Sequence, residues 1–224
     1  KSVKHLFIVT SPRPLAGVTP FTNLISVLCH ITPSIYVYTG NEGRSVLTRF
    51  SGVTGRSVEY VPSRNYLMKI LKFSKLQIQI ALDMIRHHNK SDMFMFFMAE
   101  GLFFPVIVAK LLNKRSVLCL AASMPEMAVH ASKDTLFLKI FKNIEYISYL
   151  FSDRIIIYSP GLISQWNLEP YRHKILIAHR HFLDFNTFTV TTPLPDRAPL
   201  IGYIGRLSGE KGVQHFAQAL PAIL

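Results

Sequence analysis

Val3-Lys4-His5-Leu6-Phe7-Ile8-Val9-Thr10 is a near-continuous apolar run of strand length, and Ile35-Tyr36-Val37-Tyr38-Thr39 is another. Unbroken runs of this kind belong to strands covered on both faces, as in parallel sheets. Between them lie a loop, Ser11-Pro12-Arg13-Pro14-Leu15-Ala16-Gly17-Val18, and a helix. Thr19 before Pro20 predicts an N-cap followed by proline at the first helical position. Phe21, Leu24, Ile25 and Leu28 then recur at helical spacing. Strand, helix and strand make a βαβ unit, closed by the turn Gly40-Asn41-Glu42-Gly43.

The pattern repeats along the chain. Short apolar runs predict strands over 57–61, 93–97, 116–120, 154–159 and 174–178. Helical spacing predicts helices over 65–88, 105–112, 137–151 and 160–166. This alternation predicts an α/β fold: a doubly wound, Rossmann-like parallel sheet with helices on both faces. The apolar stretch over 93–112 is long enough to span a bilayer. It is interrupted by Glu100, Gly101, Pro105 and Lys110, so strand, turn and helix is the better reading.

With 49% hydrophobic and 17% charged residues, the 224-residue chain is not disordered. Its 25 Lys+Arg against 13 Asp+Glu give a net charge of +12, which attracts anionic partners but says nothing about fold. No nucleic-acid-binding motif accompanies the charge and most aromatics fall in apolar runs, so nucleic acid is not expected as a partner. Cys29 and Cys119 lie among Val and Leu, which predicts two buried thiols, neither a disulfide framework nor a metal quartet. With no signal-peptide pattern at the start, the expectation is a cytoplasmic protein.

The three prolines of Thr191-Thr-Pro-Leu-Pro-Asp-Arg-Ala-Pro199 predict an extended linker. The expected domains are therefore 1–190, a linker over 191–199, and a second, truncated Rossmann-like domain over 200–224. That last part opens Leu200-Ile-Gly-Tyr-Ile-Gly-Arg-Leu-Ser-Gly-Glu-Lys-Gly-Val-Gln-His-Phe216. It reads as a strand, a glycine-rich turn carrying Gly205, Arg206 and Lys211, and a helix with apolar Val213, Phe216, Ala217 and Leu220. Backbone N–H groups, a helix N-terminus and two cations aimed at one point suit a phosphate or diphosphate.

Gly205-Arg206-Leu207, two intervening residues and Glu210-Lys211-Gly212 resemble the opening of the donor-binding domain in family 4 glycosyltransferases, which have the two-domain GT-B fold. Ala16-Gly17-Val18 with Asn23-Leu24 resembles the family's first loop and helix, one glycine being replaced. The stretch over 153–159 resembles the strand before the family's short helix, and Lys174-Ile175 followed by Asp184 and Phe188 resembles the segment that ends its N-terminal domain. The resemblance implies an N-terminal half that binds the acceptor, a glycan or lipid-linked molecule, and a C-terminal half that binds a nucleotide-sugar. It implies transfer with retention and without a metal or other cofactor. Arg206 and Lys211 would neutralise the departing diphosphate, and Gly17 would let the first loop approach the donor or acceptor. The family's paired glutamates lie further along than residue 224, so the chain alone is expected to be inactive. Where many members carry a histidine, Ala121-Ala122-Ser123 follows the strand over 116–120, and no catalytic residue is assigned. A non-catalytic basic binding module and a pseudo-enzyme subunit are the competing readings. No Gly-x-Ser-x-Gly elbow points to an α/β-hydrolase.

Other residues read two ways. Ser11 and Arg13 in the first loop meet a substrate phosphate or are solvated. Glu100, Ser123 and His181 line an acceptor cleft or have structural roles; Glu100, before Gly101, is equally suited to capping a helix. His179 and His181 alternate as metal ligands would, without a third. His87-His88 at a helix C-terminus reads as capping. Arg64, Lys69, Lys72 and Lys75 interleave with Leu67, Ile70, Leu71 and Phe73, and Lys139 and Lys142 flank Phe137, Leu138 and Phe141. Such helices either bury their apolar side in the core or lie on an anionic membrane surface.

Overall fold

The computed structural model describes residues 3–12, 17–63, 65–99, 101–123, 135–178, 186, 188–205, 207 and 211–223. The chain divides into two compact units, Lys1–Arg180 and His181–Leu224.

The first unit holds a seven-stranded sheet. Its strands are β1 His5–Val9, β2 Ser34–Gly40, β3 Val53–Val58, β4 Met93–Phe97, β5 Arg115–Cys119, β6 Arg154–Ile157 and β7 Ile175–Ile177. They run in the order β3-β2-β1-β4-β5-β6-β7 and every pairing is parallel. The helices are α1 Val18–Leu28, α2 Tyr66–His87, α3 Phe103–Leu111, α4 Thr135–Phe151 and α5 Leu162–Gln165. The doubly wound fold expected from the apolar runs is the one observed.

Alternation along the strands sends side chains to two cores. Phe7, Val9, Tyr38, Phe94, Phe96, Leu118 and Ile155 meet Leu76, Ile80 and Met84 of α2, Val106 and Ala109 of α3, and Tyr149 of α4. On the other face Leu6, Ile8, Ile35, Val37, Met95 and Phe97 meet Phe21 and Ile25 of α1, and Val46 from a 3₁₀ helix, Glu42–Thr48. Each such side chain taken out of water contributes about 1.5–3 kcal/mol. The strand-turn-helix reading of 93–112 corresponds to β4 and α3, and no described helix is long and apolar enough to cross a membrane.

Cys119 is buried as expected, but Cys29 is only half-buried, and three expectations about elements change. Helix α1 starts at Val18 with Gly17 as its N-cap and no side-chain cap, so Thr19 is not the cap. Pro20 falls within the first turn, where the missing N–H has no intrahelical partner to lose. Strand β3 spans Val53–Val58 rather than 57–61, in register with β2 from Ile35↔Val53 to Gly40↔Val58. This edge strand is mostly polar, and pairing rather than an apolar run sets its position. In the second unit Leu200–Ile204 is not a strand: no described residue pairs with it, and Leu200 and Ile204 are exposed. A strand without a neighbour leaves its backbone groups to water, so apolar character alone does not make one.

Lys174 ties the end of α4 down. Its Nζ donates to the carbonyls of Tyr149, Leu150 and Ser152 at 3.2, 2.8 and 2.9 Å, satisfying carbonyls that a helix end leaves without partners. Lys174→Met keeps the length but not the donors. It is expected to cost about 1–3 kcal/mol in urea unfolding; a loss below a few tenths would show that water replaces the ammonium.

Candidate functional site

The chain winds from β1 toward β2 and β3 on one side and from β4 toward β7 on the other. The reversal lies between β1 and β4, and sheets of this kind bind ligands at the carboxyl ends of the strands flanking it. Ser11 sits there: its Oγ donates to the Met98 carbonyl at 2.9 Å, joining the loop after β1 to the loop after β4. The β4–α3 connection turns tightly. Met98 has φ 46° and Gly101 φ 84°, and a left-handed residue other than Gly, Asn or Asp is uncommon and concentrates where a site demands it. The Met98 N–H reaches the Cys119 carbonyl at 3.2 Å, and the Leu102 N–H reaches Ala99 at 3.0 Å.

Gly17, buried, caps α1 at φ −89°, a conformation open to any residue. Its helix N-terminus opens on the same edge as Ser11. Further along the edge, Asn41 (φ 53°) clamps β2 to the segment after β3. Its side-chain amide donates to the Tyr60 carbonyl at 3.0 Å and its Oδ1 accepts from the Tyr60 N–H at 2.8 Å. Gly40 beside it has no room for a side chain, since a Cβ would lie 2.5 Å from the Val58 carbonyl oxygen.

Ser123, beyond the end of β5, is buried, and its Oγ lies 3.5 Å from Oε2 of Glu145. Glu145 is a buried carboxylate on α4 that the motifs did not single out. The available signal was its isolation as the one acid in Thr-Leu-Phe-Leu-Lys-Ile-Phe-Lys-Asn-Ile-Glu-Tyr-Ile-Ser-Tyr-Leu-Phe.

The second unit carries Gly205 and Lys211. Helix α6, Val213–Ile223, follows Gly212 at φ 69°, and the Phe216 N–H bonds the Gly212 carbonyl at 3.0 Å. The exposed Lys211 therefore sits just ahead of a helix N-terminus, and a residue with a Cβ at 212 would be strained. Tyr203 packs on Phe216 with ring centroids 5.6 Å apart. Arg13, Glu100, His179, His181 and Arg206 lie outside the described residues.

At the opposite, amino edge a cleft of about 620 Å³ is lined by His5, Ser34, Tyr36, Thr54, His87 and Lys90. Its polar wall is a closed network. The Tyr36 hydroxyl donates to Asp83 Oδ2 at 2.9 Å, and Arg56 and His87 each stand 3.8 Å from Asp83 Oδ1. His87 stacks on Tyr36 at 4.2 Å and donates from Nδ1 to the Asp83 carbonyl at 2.9 Å. The capping role expected of His87 and His88 is observed: His88 Nδ1 meets the Ile85 carbonyl at 2.6 Å. Burial, then the Asp83 hydrogen bond, hold the Tyr36 phenol above its ordinary value. Burial likewise pushes the Tyr38 phenol up to about 12. Asp92, accepting from the Lys4 and His5 N–H groups at 2.8 and 2.9 Å, pins the start of β1. Asp153, accepting from the Ser116 N–H at 2.8 Å and from Lys110 at 3.3 Å, pins β5 to β6. Both are structural acids. Among the described residues no three His, Cys, Asp or Glu side chains cluster as metal ligands would.

Neither a protein-family model nor a curated protein sequence matches the chain. Solved structures do. LpCGTa, crystallised in complex with UDP, aligns at TM-score 0.59 and 12% identity over 82% of this chain and 55% of that one. A UDP-glucosyltransferase from Polygonum tinctorium aligns at TM-score 0.57 and 9% identity over 87% of this chain and 56% of that one. A UDP-N-acetylglucosamine 2-epimerase aligns at TM-score 0.54 and 10% identity over 79% and 48%. This chain spans about half the length of these structures. At such identities the likeness concerns fold, and the fold it shows is the Rossmann-like α/β architecture of GT-B proteins.

Proposed function

We propose that the chain is the acceptor-binding half, with the opening of the donor-binding half, of a nucleotide-sugar glycosyltransferase resembling family 4. The first half would span 1–190, the linker 191–199, and the donor half would begin at 200. The observation that carries the reading is Gly212 at φ 69°, between Lys211 and the first turn of α6. It supports the sequence reading of Gly205–Gly212 as a diphosphate turn, and the fold of proteins crystallised with UDP supports it further. In the reaction the bond from the anomeric carbon to the diphosphate oxygen breaks and a bond to an acceptor oxygen forms. The diphosphate leaves with the electron pair and takes up the proton that the acceptor hydroxyl gives up. Arg206 and Lys211 act on that departing charge, where fixed cations stabilise a transition state most. Ser11 and Gly17 shape the loop beside the acceptor, and Ser123 with Glu145 forms its polar wall. A glycan or lipid-linked acceptor and retention of configuration belong to the same proposal.

Calorimetric titration of the full-length protein with UDP and GDP tests it. One of the two nucleotides is expected to bind, with Arg206→Ala and Lys211→Ala each weakening it about tenfold, or about 1.4 kcal/mol. Binding of neither, or variants that bind like the wild type, would end the reading. Incubation with the sugar nucleotide then separates transfer from epimerisation, since only transfer releases the free nucleoside diphosphate while forming a glycoside.

A further inference from the structure

Helix α2 carries apolar residues on two opposite sides, yet it is an outer helix. Leu76, Ile80 and Met84 are fully buried against the sheet. The opposite side carries Leu67, Leu71, Ile78, Leu82 and Ile85, spaced along one helical face and between 45% and 69% exposed. Ile70 and Met68 border that stripe and are exposed as well. A contiguous exposed apolar stripe marks an interaction surface. Of the residues that the sequence left between core and membrane, Leu67, Ile70 and Leu71 therefore face outward.

The flank of the stripe is cationic. Lys75 and Arg86 border the stripe and Lys72 lies further round; all three are exposed, and among the described residues none is in an ion pair. The helix has one acid, Asp83, and it is buried. The surface continues across the same layer. Helix α2 packs on α3 and α3 on α4, where Leu111, Tyr146 and Leu150 are exposed beside Lys139 and Lys142.

We propose that this face, centred on α2, docks on the surface of an anionic lipid bilayer. Leu and Ile side chains enter the headgroup boundary while the lysines and arginine meet lipid phosphates. Charge selects this occupant over a second copy of the chain, because two such faces brought together would oppose their cations. The inference rests on exposure and charge alone and holds whether or not the protein binds a nucleotide.

Co-sedimentation of the full-length protein with vesicles is the test. Vesicles of phosphatidylcholine mixed with phosphatidylglycerol are expected to bind it at low salt, and pure phosphatidylcholine vesicles at least about tenfold less. Raising the ionic strength should weaken the binding. Ile78→Ser with Leu82→Ser, each about half exposed and outside the core, should reduce binding about tenfold while thermal unfolding checks that the variant stays folded. Lys72→Gln with Lys75→Gln should reduce both the binding and its salt dependence. No binding to the anionic vesicles, equal binding to neutral ones, or variants indistinguishable from wild type would overturn the proposal. So would a serine variant that changes the oligomeric state without changing vesicle binding, which would assign the stripe to a second copy.

Discussion

Gly55→Ala is expected to cost about 3 kcal/mol, near the upper end for overpacked sites, which for a chain of this size lowers the melting temperature by roughly 6–12 °C. Gly55 is the residue of β3 paired with Val37 of β2, and a Cβ built there collides with the backbone oxygen, carbon and nitrogen of Val37. Backbone in a paired strand cannot swing aside as a side-chain tip does. The sheet must therefore let β3 retreat, giving up hydrogen bonds along its length, or deform β2, which is buried through Val37, Tyr38 and Thr39. Gly202→Ala is the control, because a Cβ there meets nothing within 4 Å. Thermal unfolding of both variants, with amide exchange across β2, checks the argument. Equal melting temperatures would show that the edge strand yields freely.

Asp83→Ala is expected to destabilise the first unit by about 2–4 kcal/mol. Removing the carboxylate leaves the half-buried Tyr36 hydroxyl without its 2.9 Å acceptor, and losing a hydrogen bond to a charged group costs about 1.5–3 kcal/mol. The side chain is only 3% exposed, so its loss also leaves a void between α2 and the sheet. Arg56 adds less, because it is 44% exposed and water can replace its partner. Asp83→Asn keeps an acceptor for Tyr36 and is expected to lose less than half as much. Urea unfolding of the two variants separates these contributions. An asparagine variant as unstable as the alanine one would mean that charge, rather than the Tyr36 hydrogen bond, holds the network.

Much of the architecture was legible because local and global preferences agree. Phe7, Ile8 and Val9 suit only a strand buried on both faces, and Met93–Phe97 has the same character, so the apolar runs coincide with β1 and β4. Strand β3 was misplaced because Val53-Thr-Gly-Arg-Ser-Val58 has no such run; its register comes from β2. The stretch over 200–204 shows the converse, an apolar run that forms no strand without a neighbour to receive its hydrogen bonds. In the candidate site, Ser11 was visible as a loop residue, but its bond to Met98 joins positions far apart in the sequence. Glu145 was overlooked because one acid in a basic, apolar helix looks like surface. Helix α2 left two readings open, since periodicity cannot say which of two apolar sides meets the sheet.

By itself the order of residues settled the alternation of strands and helices and the parallel sheet, because both depend on contacts within a few positions or on burial of a whole run. Only the tertiary structure decided where β3 pairs, which side of α2 faces water, that Asp83 is enclosed by Tyr36, Arg56 and His87, and that Ser11 closes the junction between β1 and β4. Those outcomes turn on partners brought together from distant parts of the chain, and no local pattern encodes a partner's position.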